Sequence, residues 1–557
     1  MSVRRIMGIE TEYGILGVGL PNANPMLMSA QLVTAYATEG LGNASRAKWD
    51  YQDEDPLCDA RGWRLDRSAA DPSLLTDNPL APAPEGDPHR ITTRRRPAPQ
   101  PEPTTVANVI LPNGARYYVD HAHPEYSGPE VTNPLDGVLW DRAGDEVLLR
   151  SSRLLAQLPG MPEVAVYKNN TDGKGASYGM HENYLVDRDV HFDEIISVLT
   201  PFLVTRPIFC GAGRVGLGQR GDLPGYQISQ RADFIEAEVG LETTLRRPII
   251  NTRDEPHAES ARYRRLHVIV GDANLAQVST YLKLGTTAAL LWLLEQGRVG
   301  LELSALRLAD PVDAARQVSR DLSLTTPLDL EDGRTMTALD IQRVYCDVIT
   351  REVAASEGSD QATADLLRRW AAVLDRLGED VQSAAREVEW VAKHRVLEGM
   401  RRRHGLDWDS PRLAALDLQW ADLRPERSIY ARLEAAEAVE TLVRPTEVEA
   451  ALAQAPTDTR AYFRGEAIRR YGPQVAAANW DAVVFDVAES ESLQRVPTPD
   501  PWRGTRTHVG DLLERSADAG ALLAELTAAP VPAGPETPVP SPDVPGSPSA
   551  ASGETTP

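Results

Sequence analysis

Short runs in which apolar and polar residues alternate dominate the first part of the chain, and a period of two predicts β-strands. Residues 4–16 form the first such run. On a strand, Ile9 and Tyr13 lie on one face, whereas Glu10 and Glu12 lie on the other. Because two carboxylates two positions apart repel each other, this face predicts either a solvent-exposed edge or a site for a hard cation with oxygen ligands.

A second alternating run, 115–120, follows an Asn-Gly turn signal. It places Arg116, Tyr118 and Asp120 on one strand face, a combination that suits a site better than a core. Two histidines and two further carboxylates follow within ten residues. The run therefore predicts either a polar edge strand or the centre of a functional site.

A third stretch, 164–185, predicts a strand, a turn and another strand. The Gly-Lys-Gly turn at 173–175 lacks the spacing of a P-loop, and no helix follows it directly. On the second strand His181 shares a face with Asn183 and is adjacent to Glu182. His181 is a candidate ligand, and the alternative is a structural histidine.

Arginine is concentrated in the segment 227–274, among further strand-like runs. The planar guanidinium fits phosphate and carboxylate oxygens, so this block is a candidate site for the phosphates of a nucleotide. The alternative is a set of surface ion pairs.

From 277 to about 420 the apolar period becomes that of a helix, with amphipathic candidates at 277–296 and 361–377. An earlier helix is predicted at 24–36, with Ser29 as a candidate cap. Near the C-terminus the run W-D-A-V-V-F-D-V predicts a strand among helices.

Composition narrows the class of protein. The chain has 557 residues, 42% hydrophobic and 25% charged, with a net charge of -23, which argues against nucleic acid as the main partner. Its three cysteines suit a reducing compartment, and its longest apolar run is too short to span a bilayer. We expect a cytoplasmic protein that binds neither nucleic acid nor membrane.

Five motifs together resemble the pupylation enzymes of actinobacteria: R-R-I-M-G-I-E-T-E-Y-G, R-Y-Y-V-D-H-A-H-P-E-Y, Y-G-M-H-E-N-Y-L, I-I-N-T-R-D-E-P-H-A and R-R-L-H-V-I-V-G-D-A-N. The resemblance covers most of residues 1–510. It implies an α+β, glutamine synthetase-like fold: a curved, mainly antiparallel sheet forms a cradle, with helices on its outer face and a small C-terminal domain. The cofactors implied are ATP, or ADP plus phosphate, and Mg²⁺.

The family has a ligase branch, which attaches the small protein Pup to lysines, and a deamidase/depupylase branch. D-H-A-H-P-E-Y resembles the depupylase form, since the ligase has one more residue after its aspartate. The depupylase branch also carries an insert before the catalytic strand, where this chain has a proline-rich stretch. We therefore expect a catalytic domain at 1–425 with a flexible insert at 67–107 near the active site, a C-terminal domain at 426–510, and a disordered tail at 525–557.

The resemblance also implies roles for individual residues. Asp120 is the implied catalytic residue. The implied metal ligands are Glu10, Tyr118, Glu125 and His181. The implied ATP contacts are Arg116, Gly128, Arg253, Arg265 and Trp480. The candidates for contacts with Pup are Arg214 and Arg231.

The implied reaction is hydrolysis of an amide at the γ-carboxyl of the C-terminal residue of Pup, releasing ammonia or a substrate lysine, with nucleotide as a retained cofactor. The nucleophile is Asp120, water activated by Asp120, or a phosphate derived from ATP; the sequence does not choose among them. Two alternative functions are a Pup–protein ligase that consumes ATP through a γ-glutamyl phosphate, and a non-catalytic Pup-binding regulator. The expected partners are Pup and pupylated proteins, bound by a monomer.

Overall fold

The computed structural model describes residues 3–20, 22–41, 47–52, 54–72, 75, 88–96, 107–356 and 359–528. Strands are concentrated in the first half of the chain and near its C-terminus: β1 Met7–Glu12, β2 Gly14–Gly17, β3 Lys48–Trp49, β4 Cys58–Asp59, β5 Trp63–Arg64, β6 Thr92–Arg95, β7 Asn108–Ile110, β8 Arg116–Asp120, β9 His123–Ser127, β10 Val164–Tyr167, β11 Met180–Asp187, β12 Arg214–Leu217, β13 Leu223–Gln227, β14 Ala237–Gly240, β15 Pro248–Asn251, β16 Tyr263–Val268, β17 Pro327–Asp329, β18 Thr335–Thr337, β19 Val475–Ala478, β20 Ala482–Phe485 and β21 Ser492–Pro497.

The α-helices are α1 Pro25–Ala35, α2 Pro134–Gln157, α3 Phe192–Thr205, α4 Pro207–Cys210, α5 Gln277–Glu295, α6 Gly300–Ser304, α7 Pro311–Arg320, α8 Ala338–Ala355, α9 Gln361–Glu379, α10 Glu389–His404, α11 Pro411–Trp420, α12 Ile429–Ala435, α13 Pro445–Ala451, α14 Ala461–Tyr471, α15 Arg506–Arg515 and α16 Ala519–Ala528.

The central sheet has the strand order β16-β11-β1-β9-β8-β7, and every neighbouring pair in it is antiparallel. Helices α2 and α5 pack against each other and against this sheet. One face of β1 is apolar and contributes Met7 and Ile9 to the core, which leaves the other face for polar groups. This arrangement confirms the predicted antiparallel sheet with helices on one side.

The predicted strand at 4–16 is divided in two. Tyr13 lies between β1 and β2, and its buried hydroxyl donates to Asp145 Oδ1 at 2.9 Å. β2 then leaves the central sheet and pairs with β10. The break between β1 and β2 thus coincides with Tyr13, whose hydroxyl bonds to Asp145 on α2. The alternation of apolar and polar residues does not reveal this contact.

The predicted helices at 277–296 and 361–377 correspond to α5 and α9. The helix predicted at 24–36 is α1, but Ser29 is not its cap. The side chain of Asn24 accepts the capping bond from the backbone of Leu27, and Ser29 is buried inside the helix. Its hydroxyl instead donates to Ala122 O at 2.8 Å, which ties α1 to the turn after β8.

A second sheet, ordered β3-β19-β20-β21-β6, lies in the C-terminal part of the fold. Two of its strands come from the first hundred residues, and β6 belongs to the predicted insert. Its core includes Trp49, Phe463 and Phe485, whereas α13 contributes Ala451 to the main core. The predicted division between 425 and 426 stays a prediction.

Two predictions concern residues that are mostly not described. Of the insert at 67–107, the structure describes 67–72, 75, 88–96 and 107; its predicted flexibility lies outside these residues. The tail predicted from 525 begins inside α16, which ends at Ala528, and 529–557 lie outside the described residues. Among the described helices, we find none with the length and apolarity needed to span a membrane.

Candidate active site

Register in the central sheet aligns the predicted site residues in cross-strand rows. Glu10 on β1 is paired with His181 on β11. Glu12, two residues further, is paired with Glu125 on β9, which in turn is paired with Tyr118 on β8. Because paired residues lie side by side on one face, the four predicted metal ligands are brought together on the polar face of β1.

The first row forms a mixed group of one carboxylate and two imidazoles, Glu10, His181 and His267, whose ligand atoms lie within 4.8 Å of one another. Glu10 Oε2 lies 3.3 Å from His181 Nδ1. Asn183 contacts two members of this group. Its amide nitrogen donates to Glu10 Oε1 at 2.9 Å, and its Oδ1 lies 2.9 Å from His267 Nδ1.

His267 was not predicted as a ligand. It lies two positions after Arg265 on β16 and thus on the same strand face. The pairing of His267 with Asn183 places it beside the ligand row, and that pairing joins two strands distant in sequence. In the sequence, the only indication that His267 could be a ligand was that it shares a strand face with Arg265.

The second row forms an all-carboxylate group of Glu12, Asp120 and Glu125, again within 4.8 Å of one another. Glu12 Oε1 accepts a bond from the Gly179 backbone at 2.7 Å, and its Oε2 lies 3.2 Å from His123 Nδ1. Glu12 was recognised in the sequence as half of a carboxylate pair, and the structure places it in a second group that could hold a metal ion.

Burial and charge act in opposite directions on these carboxylates. Burial raises the pKa of Glu10, but the bond from His181 and the charge of His267 outweigh it, and the pKa falls below its ordinary value. The pKa of Glu125 is raised well above its ordinary value, first by burial and then by the charges of Asp120 and Glu12. A cation among these three carboxylates would relieve that repulsion, which is the behaviour expected of a metal site.

Asp120 is the last residue of β8. Its side chain is 40% exposed, the most accessible carboxylate of its group, and His121 Nδ1 lies 3.0 Å from Asp120 Oδ1. His121 has a φ of 51°, so the chain turns sharply directly after the carboxylate. The turn and the bond from Ser29 to Ala122 fix Asp120 where a ligand from solution can reach it.

A cavity opens beside the first row, next to Glu10. Three predicted ATP contacts line it, Gly128, Arg265 and Trp480. Asn183, His257 and Arg460 also line it and were not predicted. The lining therefore combines an indole that can contact a base, arginines that can bind phosphates, and the Glu10 carboxylate that can bind a metal ion. This combination fits a nucleotide whose phosphates point toward Glu10.

Arg116 lies in an aromatic cluster near this cavity. Its guanidinium is 4.0 Å from the ring centre of Trp49 and 3.8 Å from that of Tyr118. Trp49 in turn contacts Trp480 edge to face at 5.2 Å. The cluster links the predicted contacts Arg116 and Trp480, and Trp49 is an aromatic member that sequence reasoning missed.

Arg253 and Arg265 take different positions. Arg265 donates to Asn183 Oδ1 at 2.7 Å and forms an ion pair with Glu255 at 3.4 Å, so it supports the first ligand row. Arg253 is not among the cavity-lining residues, and its Nε is buried with no hydrogen-bond partner among the described residues. Its role as an ATP contact stays a prediction.

The two predicted Pup contacts are buried. Arg214 donates to Gln219 O at 3.1 Å, and its guanidinium lies over the ring of Phe234. Arg231 donates to Tyr178 O and lies 3.3 Å from Ser177 Oγ. Both roles stay predictions; the position of Arg231, next to the segment that bonds Glu12, connects it to the active site.

The donor sets fit different cations. Carboxylate oxygens, as in the group around Glu12, are preferred by Mg²⁺. Two imidazoles, as in the group around Glu10, fit Mn²⁺ or another first-row cation as well as Mg²⁺. Asn183, which bonds both Glu10 and His267, is the orienting neighbour that metal-binding side chains require.

Comparison with known proteins gives a consistent result. The family model described as Pup-ligase protein matches residues 5–484. The chain is 50% identical over 527 residues to a protein of Acidothermus cellulolyticus named depupylase, covering 94% of this chain and 99% of that protein. It is 50% identical over 530 residues to the Pup deamidase/depupylase of Mycobacterium tuberculosis, covering 95% of this chain and 100% of that protein.

A Pup–protein ligase of Actinosynnema mirum is 39% identical over 414 residues, covering 73% of this chain and 90% of the ligase. A crystal structure of Pup in complex with its ligase PafA superposes with a TM-score of 0.72 at 30% identity, covering 94% of both chains. PafA in complex with ADP gives a TM-score of 0.66 at 36% identity, covering 73% of this chain and 90% of PafA. The predicted fold class is thereby confirmed.

Proposed function

This chain belongs to the Pup-ligase protein family, and on that premise we propose that it is a depupylase and Pup deamidase. It hydrolyses the isopeptide bond between the C-terminal glutamate of Pup and a substrate lysine, and it converts a C-terminal glutamine of Pup to glutamate. ATP, or ADP plus phosphate, is a retained cofactor.

The observation that carries this proposal is the extent of the match to each branch. Relatives named depupylase match at 50% identity over 94% and 95% of the chain, whereas the ligase matches at 39% over 73%. The branch expected from D-H-A-H-P-E-Y is therefore confirmed.

Asp120 is the residue that acts on the amide. Its carboxylate is the accessible member of a group whose other members, Glu12 and Glu125, are buried. In one route it attacks the amide carbon, the C–N bond breaks to release the amine, and water then hydrolyses the resulting anhydride. In the other route it accepts a proton from a water that attacks the amide carbon as the C–N bond breaks. His121, 3.0 Å from it, is positioned to give a proton to the departing amine.

The two ligand groups would hold Mg²⁺, with Glu12, Asp120 and Glu125 in one and Glu10, His181 and His267 in the other, and Tyr118 beside Glu125. Bound there, the metal would supply positive charge for the phosphates and for the oxyanion of the amide. The protein's own contribution is to keep both groups on one rigid sheet face through Asn183 and the Gly179 backbone.

The nucleotide would occupy the cavity next to Glu10, with its base near Trp480 and its phosphates toward Arg265. The cavity is lined by Glu10, whereas Asp120 belongs to the other ligand group and does not line it. A nucleotide in this cavity can therefore stay bound while Pup conjugates enter and leave at Asp120.

The test is one assay with two readouts. The protein is incubated with a Pup–lysine conjugate and Mg²⁺, with or without ATP, and free Pup and ADP are followed together. Release of Pup that requires nucleotide but exceeds ADP formation many-fold is the expected result. Conjugation of free Pup with one ADP per bond would identify a ligase instead, and Pup binding without any bond change would identify a regulator.

The remaining proposals concern setting and partners. Cys58, Cys210 and Cys346 are free thiols, which supports a cytoplasmic location. We propose Pup and pupylated proteins as partners of a monomer, with Arg214 and Arg231 as Pup contacts and Arg253 as an ATP contact. A mass measurement in solution that gives a dimer would contradict the monomer.

A further inference from the structure

The side of the central sheet that carries the helices contains a cavity that the proposed function does not use. It has a volume of about 680 Å³ and lies between α2, the start of α5 and the segment 422–449. Asp145 on α2 lines it, and the hydroxyl of Tyr13 reaches Asp145 from the strand face opposite to Glu12. The cavity therefore lies behind the sheet and is separate from both ligand groups.

The size and the lining of this cavity fit a small organic molecule. Ligand sites usually enclose about 300–1,000 Å³ and combine apolar walls with a few polar groups. Here Leu149, Leu423, Val443 and Val448 supply apolar walls. A bare metal ion would leave these walls without a contact.

Carboxylates line the cavity in larger number than the cations that pair with them. The six carboxylates are Asp145, Glu146, Asp422, Glu434, Glu437 and Glu449. The four cations that form ion pairs with them are Arg142, Arg150, Lys168 and Arg424. Four cations for six carboxylates leave an excess of two negative charges, and Lys168 also pairs with Asp141, which is outside the lining. Glu437 is exposed and has no ion pair in the part of the chain that the structure describes.

A buried hydroxyl at this cavity lacks a partner. Tyr430 lines the cavity and is 2% exposed, yet its hydroxyl has no hydrogen-bond partner among the described residues. Burial raises the pKa of this hydroxyl well above its ordinary value; the charge of Arg142 opposes the rise, and that of Glu434 adds to it. The hydroxyl thus stays protonated and lies near two charged groups of the same lining. Because an unsatisfied buried hydroxyl costs stability, a ligand in the cavity would supply the partner that it lacks.

We infer that this cavity binds a small organic amine, an alkyl chain that carries one or more ammonium groups. Each ammonium group has three donors and no acceptor, so it can bond to the surplus carboxylates and to the oxygen of Tyr430. The methylene groups of the chain would contact the leucine and valine side chains. A neutral molecule would leave the surplus charge unpaired, and an inorganic cation would leave the apolar walls in contact with water.

The inferred site takes no part in the proposed hydrolysis of Pup conjugates. Asp120 and the residues of the two ligand groups do not line this cavity. Failure of the amine site and failure of the proposed function are therefore separate results.

The experiment is a calorimetric titration of the full chain with cadaverine, a linear diamine. Titrations with pentanediol and with sodium chloride at equal ionic strength separate the effect of the ammonium groups from those of the alkyl chain and of salt. Tyr430→Phe and Glu437→Gln change the lining, and in the described part of the chain neither hydroxyl nor carboxylate has a polar partner to lose. Glu379→Gln, at the exposed last residue of α9 and outside the cavity, is the matched control.

Wild type should bind cadaverine saturably and pentanediol at least about ten-fold more weakly, and sodium chloride should give no saturable binding. Tyr430→Phe should weaken cadaverine binding about ten-fold, because a hydrogen bond with a charged group is lost. Its melting temperature without ligand should not fall, since the hydroxyl has no partner among the described residues. Glu437→Gln should weaken binding about three-fold, as expected for an exposed charge, and Glu379→Gln should match wild type.

The inference is overturned if wild type shows no saturable binding of cadaverine, or binds pentanediol equally well, because the surplus charge would then play no part. Saturable binding of sodium chloride with the affinity of cadaverine would also overturn it, since any cation would then suffice. Affinities of Tyr430→Phe and Glu437→Gln within about two-fold of wild type would place the amine elsewhere. If Tyr430→Phe fails to fold, the exposed change Glu437→Gln decides the question alone.

Discussion

Glu130, which follows β9, accepts a bond from Arg460 Nε at 2.8 Å and a second from Arg464. The two arginines belong to the segment that begins α14, so this carboxylate joins the catalytic sheet to the C-terminal part of the fold. Burial raises the pKa of Glu130, but the charges of Arg464 and Arg460 outweigh it and lower the pKa to about 2.

Replacing Glu130 with Gln should therefore lower the free energy of unfolding by about 3 kcal/mol, because two buried arginines lose their counter-ion. Urea denaturation measures this. A matched control is Glu447→Gln, which removes a solvent-exposed partner of Arg444 and should cause no measurable change.

The same carboxylate predicts a pH dependence. Since its pKa is depressed on folding, its contribution is fully present above the ordinary pKa of 4.5 and is lost as the pH falls toward about 2. The stability of wild type should fall in this window, and that of Glu130→Gln should fall less. Parallel curves for the two proteins would contradict the assignment.

Asp120→Asn should abolish cleavage of a Pup–lysine conjugate, with a loss of at least about 10³-fold, because the amide can neither attack nor accept a proton. Affinity for ATP should stay within a few-fold, since Asp120 does not line the nucleotide cavity. Asp189→Asn, on an exposed turn, is the control. Normal cleavage by Asp120→Asn would refute the catalytic role.

Trp480→Ala should weaken nucleotide binding by about ten-fold or more, because loss of an aromatic contact with a base costs about 1–3 kcal/mol. The quenching of tryptophan fluorescence by ATP measures the affinity. Trp63→Ala, which removes an indole that is 45% exposed, should leave it unchanged. Equal affinities in the two variants would place the base elsewhere.

Asn183→Ala should weaken cation binding at Glu10, His181 and His267 by about 10- to 100-fold, since Asn183 orients two of the three ligands. Titration with Mn²⁺, followed by its paramagnetic signal, measures this. The class of sites around Glu12 is an internal control and should keep its affinity. Loss of both classes together would indicate general disruption of the sheet.

Local patterns in the sequence were sufficient for much of the cradle. Alternation placed Glu10 and Glu12 on the polar face of one strand, and Arg116, Tyr118 and Asp120 on one face of another, as observed. The helical period also placed α5 and α9 correctly. These features depend on residues close in sequence, whose side-chain directions follow from strand or helix geometry alone.

Partners across the sheet were decided only by the tertiary structure. His267 joins Glu10 because β16 pairs with β11 and β11 with β1 in one register, and a shift of one residue would move it to the other face. For the same reason the sequence did not reveal that Arg247 meets Arg231 at Ser177, or that β6 completes the second sheet. Such contacts join distant segments, and their register is set by the packing of the whole core, which no short window of sequence contains.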